Sequence, residues 1–243
     1  MKSSAFLSRL VVAFLVVPTV LSCGQFSVGA APATVDAQGQ KVTKRVEQLL
    51  RGVIKTGDGT PLALKITSNA RASQGFFPAI TISGGATQIK NLFVSRFELS
   101  AKNVQVDVPA LWSVGKVRTT HSQTRLRVVI TEDDLTKMLS KGKSTKGMGL
   151  RVKYVGNQMR ITGKLNYAFL NGPISGLAKL RQTSDYNVYL DILSLKLRGV
   201  EAPGFIKNQL SNRINPVINY STVPFNPPFR FLRVVGNKAI LST

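Results

Sequence analysis

The sequence predicts an α+β protein in which antiparallel strands outnumber helices. Most of the chain alternates apolar and polar residues in short runs, and the longest such run is Val117–Ile130. Three segments instead repeat apolar residues at helical spacing. They are Val42–Val53, Thr131–Leu139 and Glu201–Asn219. With 243 residues, of which 43% are hydrophobic, the chain is long and apolar enough for one domain with a substantial core.

The first helix is predicted to start at Asp36, whose side chain suits an N-cap, and to stop at the turn Thr56-Gly57-Asp58-Gly59. Its apolar side carries Val42, Val46 and Leu50, and lysines and arginines occupy the other side. Such a helix either packs on a sheet or forms the wall of a lipid groove or a membrane-surface helix. Short strands follow at Pro61–Ser68 and Phe76–Ser83.

The segment 92–139 predicts strands followed directly by a helix. Pro109 interrupts the alternation after Val108, because proline has no N–H for a sheet ladder. In Val117–Ile130 the even positions are apolar or small, and the odd positions are mostly basic and polar. Thr131 predicts an N-cap with Asp134 in a capping box. The carboxylates of residues 132–134 therefore suit a helix start better than a metal or acid–base site.

Glycines and polar residues predict the turns of the second half. The loop 140–149 carries Lys141, Lys143 and Lys146, which either contact anionic headgroups or lie on a solvated hairpin loop. Turns are expected at Gly156-Asn157, at Asn171-Gly172-Pro173 and at Gly236-Asn237. The apolar parity of the strand 186–197 switches near Ile192-Leu193, which predicts a β-bulge. Long strands with glycines and a bulge suit a strongly curved sheet.

The last predicted helix, Glu201–Asn219, has an apolar stripe that includes Ile206, Leu210 and Ile214. Pro216 lies inside this pattern and is expected to kink or end the helix. Two apolar pairs follow, Pro224-Phe225 and Pro228-Phe229. They are interpreted either as the rim of a groove or as packing for the C-terminal hairpin.

The N-terminus predicts export and lipidation. Lys2 and Arg9 precede the unbroken apolar run Leu10–Val17, which is far shorter than the roughly 20 residues of a membrane-spanning helix and fits a signal peptide. The following Val20-Leu21-Ser22-Cys23 resembles a lipoprotein cleavage box, in which Cys23 becomes acylated. The predicted organisation is a signal peptide over 1–22, a flexible tether over 23–36 and a single domain over 37–243. The alternative is ordinary secretion with a free Cys23.

Charge and composition favour a lipid partner over the other classes. The formal net charge is +22, and the exported chain would keep +20 because only Lys2 and Arg9 are lost. Outside the cytoplasm, anionic lipid is a more probable partner of such a chain than nucleic acid. Cys23 is the single cysteine and His121 the single histidine, so no disulfide, cysteine metal site or catalytic triad independent of His121 can be built. We therefore expect no enzyme activity, no metal and no cofactor.

Four segments give the chain a family resemblance. They are VSRFELSAKNVQVDVPALW, RVVITEDDLTKML, FIKNQLSNRINPVI and VPFNPPFRFLRVVGNKAILS. Their order and spacing resemble the LmeA-type phospholipid-binding proteins, an exported bacterial family, over Val42 to Ser242. The resemblance implies a strongly curved antiparallel sheet wrapped around a long amphipathic helix, a tubular lipid-binding, BPI-like half-barrel.

The resemblance also implies a phospholipid held in an apolar groove. The residues expected to line that groove are Phe97, Leu126, Val128, Phe169, Ile206, Leu210 and Ile214. The leading hypothesis is a lipoprotein on the periplasmic side of the bacterial cell envelope, anchored through acylated Cys23, that binds phospholipid, preferably anionic, in lipid handling or transport. The alternative is an anchored structural or adaptor protein with a filled core that contacts lipid headgroups or glycans by charge. A hydrolase would require His121.

Overall fold

Local sequence signals account for the helices of the computed structural model, which describes residues 34–57, 61–142, 145–167 and 170–243. Asp36 accepts a hydrogen bond from the Gly39 N–H at 2.5 Å, and Thr131 and Asp134 form the predicted capping box. The helices are α1 Ala37–Val53, α2 Val108–Ser113, α3 Glu132–Lys141 and α4 Gly204–Ile214, with 3₁₀ turns at Ala72–Gln74 and Tyr220–Thr222.

The strands occupy the segments that alternate in sequence. The first seven are β1 Ile54–Thr56, β2 Ala63–Thr67, β3 Phe76–Gly84, β4 Thr87–Ile89, β5 Leu92–Val94, β6 Arg96–Val106 and β7 Thr119–Thr131. The other seven are β8 Arg151–Val155, β9 Gln158–Tyr167, β10 Leu170–Gln182, β11 Val188–Leu197, β12 Val200–Glu201, β13 Phe231–Val235 and β14 Lys238–Ser242.

These strands form three antiparallel sheets. The large sheet has the order β13-β14-β7-β6-β3-β2, the second sheet has the order β12-β11-β10-β9-β8, and the small sheet has the order β1-β4-β5. The apolar side chains of the sheets and of α1, α3 and α4 join in one buried cluster. The α+β class predicted from the sequence is therefore confirmed.

The face assignment of β7 is also confirmed. Leu126, Val128 and Ile130 are at most 3% exposed, whereas Arg125 and Arg127 on the opposite face are exposed. Hydrogen-bonded neighbours β6 and β14 lie on either side of β7 over its C-terminal half. The outer face of the large sheet is thus polar and cationic, and its inner face belongs to the core.

The predicted bulge is present in the second sheet. Leu177 is paired with Ser194 and Ala178 with Ile192, which leaves Leu193 without an opposite residue. Here the backbones approach so closely that a Cβ on Gly176 would lie 2.3 Å from the Ser194 carbonyl oxygen. Glycine at 176 therefore permits the bend that the bulge introduces.

Two predictions of local structure are wrong. The chain does not turn at Asn171-Gly172-Pro173, because β10 begins at Leu170 and pairs with β9 through these residues. The last helix spans Gly204–Ile214 and not Glu201–Asn219. Its early end follows from Pro216, which keeps the residue before it out of helical geometry, and Asn215 is indeed extended.

One helix was not predicted, and one architecture is not confirmed. Asp107 accepts from the Ala110 N–H at 3.0 Å and Pro109 lies in the first turn, so the segment after β6 forms α2. The half-barrel around a long amphipathic helix is not confirmed. Helix α4 has 11 residues and lies against β11, and the three sheets of the described chain are open.

Candidate functional site

A cleft of about 610 Å³ opens where β7 loses its neighbour on one side. Strand β14 pairs with β7 from Thr131 to Arg127, and the Thr243 N–H donates to the Leu126 carbonyl at 3.2 Å. Over residues 119–125 no described strand continues on that side. The segment 223–230 lies beside this half of β7 and closes the cleft. The lining residues are Ser100, Lys102, Ser122, Gln123, Thr124, Arg125, Phe225, Asn226, Pro227, Pro228, Arg230 and Thr243.

The register of the large sheet brings the polar lining together. Ser100 on β6 lies directly opposite Arg125 on β7, and Lys102 lies opposite Gln123. Lys102 and Arg125 are therefore diagonal neighbours on the outer face, with Cβ atoms about 7 Å apart by standard sheet geometry. Two cations and a hydroxyl thus converge on one patch.

Hydroxyl and backbone groups line the open side of β7. The hydroxyl oxygens of Ser122 and Thr124 lie 3.1 Å apart. Because Leu126 turns both its N–H and its C=O toward Thr243, strand alternation turns the same groups of Thr124 and Ser122 toward the cleft. The open edge of β7 therefore offers N–H donors next to the outer-face cations, and the Ser122 and Thr124 hydroxyls flank that edge from the opposite face; N–H donors with cations suit a phosphate or carboxylate ligand.

The opposite wall comes from the segment that carries the two Pro-Phe pairs. Phe229 is fully buried in the core, and the Gln182 side-chain amide donates to its carbonyl oxygen. Phe225 has a φ of 65° and Asn226 a φ of 43°, both in the left-handed region. This tight turn places Phe225 and Pro228 against the cleft. Phe229 therefore packs in the core and Phe225 and Pro228 line this cleft, while the prediction that the two pairs form the rim of an acyl groove stays a prediction.

The cations of the cleft are not neutralised by described carboxylates. Lys102, Arg125 and Arg230 form no ion pair within the described part of the chain. The acidic side chain nearest along the sheet, Glu98, pairs with Arg96 at 2.5 Å. Glu98 is also a diagonal neighbour of Arg125, but the three cations outnumber it, and a net cationic wall in a concave site raises the local concentration of anions.

Several carboxylates of the described chain accept hydrogen bonds at helix starts and in turns. Asp36, Asp107 and Asp134 bond to backbone N–H groups at helix starts. Glu132 accepts from the Tyr154 N–H at 2.7 Å. In the turn after β10, hydrogen bonds from Thr183 and Asn187 hold the pKa of Asp185 below its usual range. The positive charge of the protein follows from its 33 lysines and arginines against 11 acidic residues, and these hydrogen bonds fix where several of the carboxylates lie.

A shallower depression of about 300 Å³ continues the cleft across the outer face of the large sheet. Ser100 and Arg125 line both, and the depression adds the hydroxyls of Thr81 and Ser83, the guanidinium of Arg127 and the carboxylate of Glu98. Because serine and threonine side chains are small, the surface beside Arg125 is open both toward the cleft and toward this depression.

The residues predicted to line an acyl groove lie elsewhere. Phe97, Leu126, Val128, Ile206, Leu210 and Ile214 are all in the buried core. Phe169 lies outside the described residues. The pocket beside α4 that is lined by Met148, Leu165 and Phe205 among others has a volume of about 10 Å³. That is room for about one water molecule and not for a hydrocarbon chain.

Hydrogen bonds join the residues just before and just after helix α4 to strand β11. Before the helix, the Ala202 N–H donates to the Leu195 carbonyl at 2.7 Å. After it, the Asn215 side chain accepts from the Leu190 N–H at 2.7 Å and donates to the Leu190 carbonyl at 3.0 Å. Between these points Ile206 and Leu210 hold the helix by apolar contact. Opening the space under α4 would have to break that contact.

The other predicted lipid contacts fall outside the cleft. Cys23 and Lys143 lie outside the described residues. Lys141 lies near the end of α3 with its Nζ 4.5 Å from the centre of the Phe93 ring, and Lys146 is exposed on the loop that follows. Helix α3 starts at the end of β7 that is remote from the cleft, and neither lysine lines it.

His121 is exposed on β7 opposite Gln105. Within residues 34–57, 61–142, 145–167 and 170–243, no set of three or more histidine, cysteine or acidic side chains is arranged to hold a metal. No helix in the same ranges combines the length and the apolar character needed to span a bilayer.

Comparison with known proteins adds a family. A family model described as LmeA-like phospholipid-binding matches residues 39–242, which is most of the chain and includes both walls of the cleft. This is a family of phospholipid-binding proteins and not a family of enzymes. No curated protein and no solved structure matches the chain.

Proposed function

The chain belongs to the LmeA-like phospholipid-binding family, and from that premise we propose that it binds an anionic phospholipid by its headgroup in the cleft beside β7. The observation that carries the proposal is the convergence of Lys102, Arg125 and Arg230, without carboxylate partners among the described residues, on a site of about 610 Å³. That size lies within the usual range for small-molecule sites.

The chemistry of the lining matches a phosphodiester. A guanidinium can donate two parallel hydrogen bonds to phosphate oxygens, and a lysine adds a compact charge. The hydroxyl of Ser100, on the same face of the sheet as Lys102 and Arg125, supplies a neutral donor for a remaining oxygen or for a hydroxyl of the headgroup, whereas the Ser122 and Thr124 side chains project from the opposite face of β7 at its open edge. Phe225 and Pro228 give the cleft an apolar rim, along which the first carbons of the acyl chains can leave the site.

We place this activity in the bacterial cell envelope. The support is the signal-like N-terminus and the lipoprotein box ending at Cys23, which would tether the domain to a membrane on the periplasmic side. A protein held there, with a site for headgroups, suits envelope lipid handling or transport. Metabolic labelling with a fatty acid tests the tether: wild type should incorporate label and Cys23→Ser should not. Label in both variants, or in neither, would contradict it.

Uptake of the acyl chains beneath α4 is a second candidate. It is favoured by the apolar lining of that space, in which Phe205 is 50% exposed at the surface of the helix. In this version α4 moves, and the predicted groove residues contact the chains. The filled core, with about 10 Å³ beside α4, favours the alternative of an anchored adaptor that contacts headgroups or glycans by charge alone.

Titration with a short-chain phosphatidylglycerol, kept monomeric, tests headgroup binding in solution. The double variant Lys102→Gln/Arg125→Gln should weaken binding by at least about tenfold, because two charge-assisted contacts are lost. Arg233→Gln/Lys238→Gln removes the same two residue types from strands β13 and β14 of the same sheet and should leave the affinity within about twofold. No binding by wild type, or equal weakening in both variants, would overturn the proposal.

A further inference from the structure

The end of α2 exposes large apolar side chains that the fold does not need. Leu111 is fully buried, whereas Trp112 is 51% exposed and Val114 is 46% exposed. Pro109 and the Asp107 cap fix the start of this short helix. Its direction is therefore set by the fold, and Trp112 and Val114 are held outward on a well-defined support.

One cation contacts the Trp112 ring, and two more follow it closely along the chain. The Arg45 guanidinium of α1 lies 5.7 Å from the centre of the Trp112 ring, and its Nε donates to the Leu111 carbonyl at 3.4 Å. Lys116 and Arg118, in the segment between α2 and β7, are exposed. Asp107, the acid nearest in sequence, is occupied as the helix cap. An exposed aromatic ring in contact with one cation and followed in the chain by two exposed ones has the composition of a surface for anionic lipid interfaces.

The cleft and this surface lie at the same end of the large sheet. Lys102, in the cleft wall, and Val106, the last residue of β6, are four residues apart, or about 13 Å along the strand. Helix α2 follows β6 almost directly, and the segment after α2 returns into the half of β7 that lines the cleft. A planar partner that touches α2 is therefore close to the cleft.

We propose that Trp112, Val114, Arg45, Lys116 and Arg118 form the surface by which the domain docks on an anionic bilayer. This inference rests on the proposed function and specifies how the cleft reaches its lipid. Trp112 enters the interfacial layer with its indole N–H near the headgroups, Val114 enters beside it, and the cations contact phosphates. Docking at this end brings the cleft to the headgroup level.

Intrinsic fluorescence tests the proposal, because Trp112 is the only tryptophan of the chain. The full chain carrying Cys23→Ser, which excludes acylation, is titrated with vesicles of equal parts phosphatidylglycerol and phosphatidylcholine. The emission of Trp112 should shift to shorter wavelength and become protected from iodide. Vesicles of phosphatidylcholine alone should cause little change, since they lack the negative surface charge.

Two valines provide a matched pair for the same titration. Val114 is 46% exposed at the end of α2, and Val235 is 54% exposed at the β13–β14 turn, beside the opposite end of β7. Val114→Asp should weaken vesicle binding by about tenfold, through lost apolar insertion and added repulsion, and Val235→Asp by less than about twofold. Lys116→Gln/Arg118→Gln should also weaken it, without touching any apolar contact.

The outcomes separate this inference from the proposed function. Val114→Asp should bind monomeric short-chain phosphatidylglycerol as wild type does, because the cleft is unchanged. Vesicle binding without a change in Trp112 emission, or equal loss in the two valine variants, would overturn the docking surface while leaving headgroup binding intact. Failure of wild type to bind the monomeric lipid would instead overturn the proposed function.

Discussion

The space beneath α4 and the cleft beside β7 differ in volume and in the chemistry of their lining, and each suits a different part of a phospholipid. Beneath α4, apolar side chains from the helix and the second sheet leave about 10 Å³. Beside β7, polar and cationic side chains surround about 610 Å³. The first region has the chemistry of an acyl site without the room, and the second has the room and the chemistry of a headgroup site.

This difference indicates that contact with a phospholipid starts at its polar end. Ile206, Leu210 and Ile214 bury apolar area that already stabilises the fold, so admitting a chain there first removes existing contacts. Lys102 and Arg125 have no carboxylate partner to lose among the described residues, so an anion gains their interaction at little cost. The two regions can be separated by experiment.

The largest expected effect is on stability, in the closed region. Leu210→Ala should lower the free energy of unfolding by about 2–5 kcal/mol, since a side chain that is 2% exposed leaves a cavity. Urea denaturation measures this, with Phe205→Ala, whose side chain lines the same space but is 50% exposed, as the control of smaller effect. Headgroup binding should be unchanged. If Leu210→Ala is as stable as wild type and binds lipid more weakly, the assignment of α4 to the core and of lipid binding to the cleft is contradicted.

A smaller loss of stability is expected where a carboxylate is used by the fold. Asp134 is 7% exposed and accepts from the Ser95 hydroxyl, the Thr131 N–H and the Thr131 hydroxyl at 2.5, 2.9 and 2.8 Å. Asp134→Ala should lower the free energy of unfolding by about 1–3 kcal/mol, through the lost cap and the unsatisfied donors. Asp133→Ala, in the same turn and without such bonds, should change it by less than about 0.5 kcal/mol.

The dependence of affinity on acyl-chain length is expected to be smaller still, but it distinguishes most clearly between binding in the two regions. If chains enter beneath α4, each added CH₂ contributes up to about 0.8 kcal/mol, and affinity rises several-fold per carbon. If the headgroup alone is bound, monomeric phosphatidylglycerols with progressively longer short chains should differ by less than about twofold per carbon. Calorimetric titration of such a series measures this. A steep rise in affinity with chain length would instead indicate that the acyl chains bind beneath α4.

The smallest effect concerns Tyr154, whose hydroxyl donates to the Ile130 carbonyl at 3.4 Å. Burial raises the pKa of Tyr154, and the nearby carboxylates of Glu132 and Asp134 raise it further. The unfolded phenol ionises near pH 10 while the folded one stays protonated, so stability falls as the pH rises above about 10. Tyr154→Phe should weaken that decline and cost under about 1 kcal/mol at neutral pH. If the unfolding temperature of Tyr154→Phe decreases at alkaline pH as much as that of wild type, the prediction is contradicted.

The parts of the fold that local chemistry dictates could be predicted from the sequence. The caps at Asp36 and Thr131, the hairpin at Gly156-Asn157 and the bulge at Leu193 follow from residue type and parity alone. Helix α2 was missed because Pro109 was interpreted only as the end of a strand, although Asp107 two residues earlier is a helix-start signal.

The candidate site could be predicted only in pieces. Parity identified the basic face of β7, and composition identified Phe225 and Pro228 as a possible rim. The pairing of Ser100 with Arg125 depends on strand register, and the cleft depends on where β14 stops beside β7. These are long-range properties that residue type and parity do not reveal, whereas the headgroup contacts at Lys141, Lys143 and Lys146 were inferred from a local cluster of lysines and stay a prediction.

Amide chemical shifts of the ¹⁵N-labelled protein during titration with monomeric short-chain phosphatidylglycerol test the central claim most directly. The account predicts that the largest changes fall on Ser100, Lys102, Ser122, Thr124 and Arg125, with those of Ile206, Leu210 and Ile214 remaining small. The largest changes on α4, with the cleft residues unaffected, would contradict it.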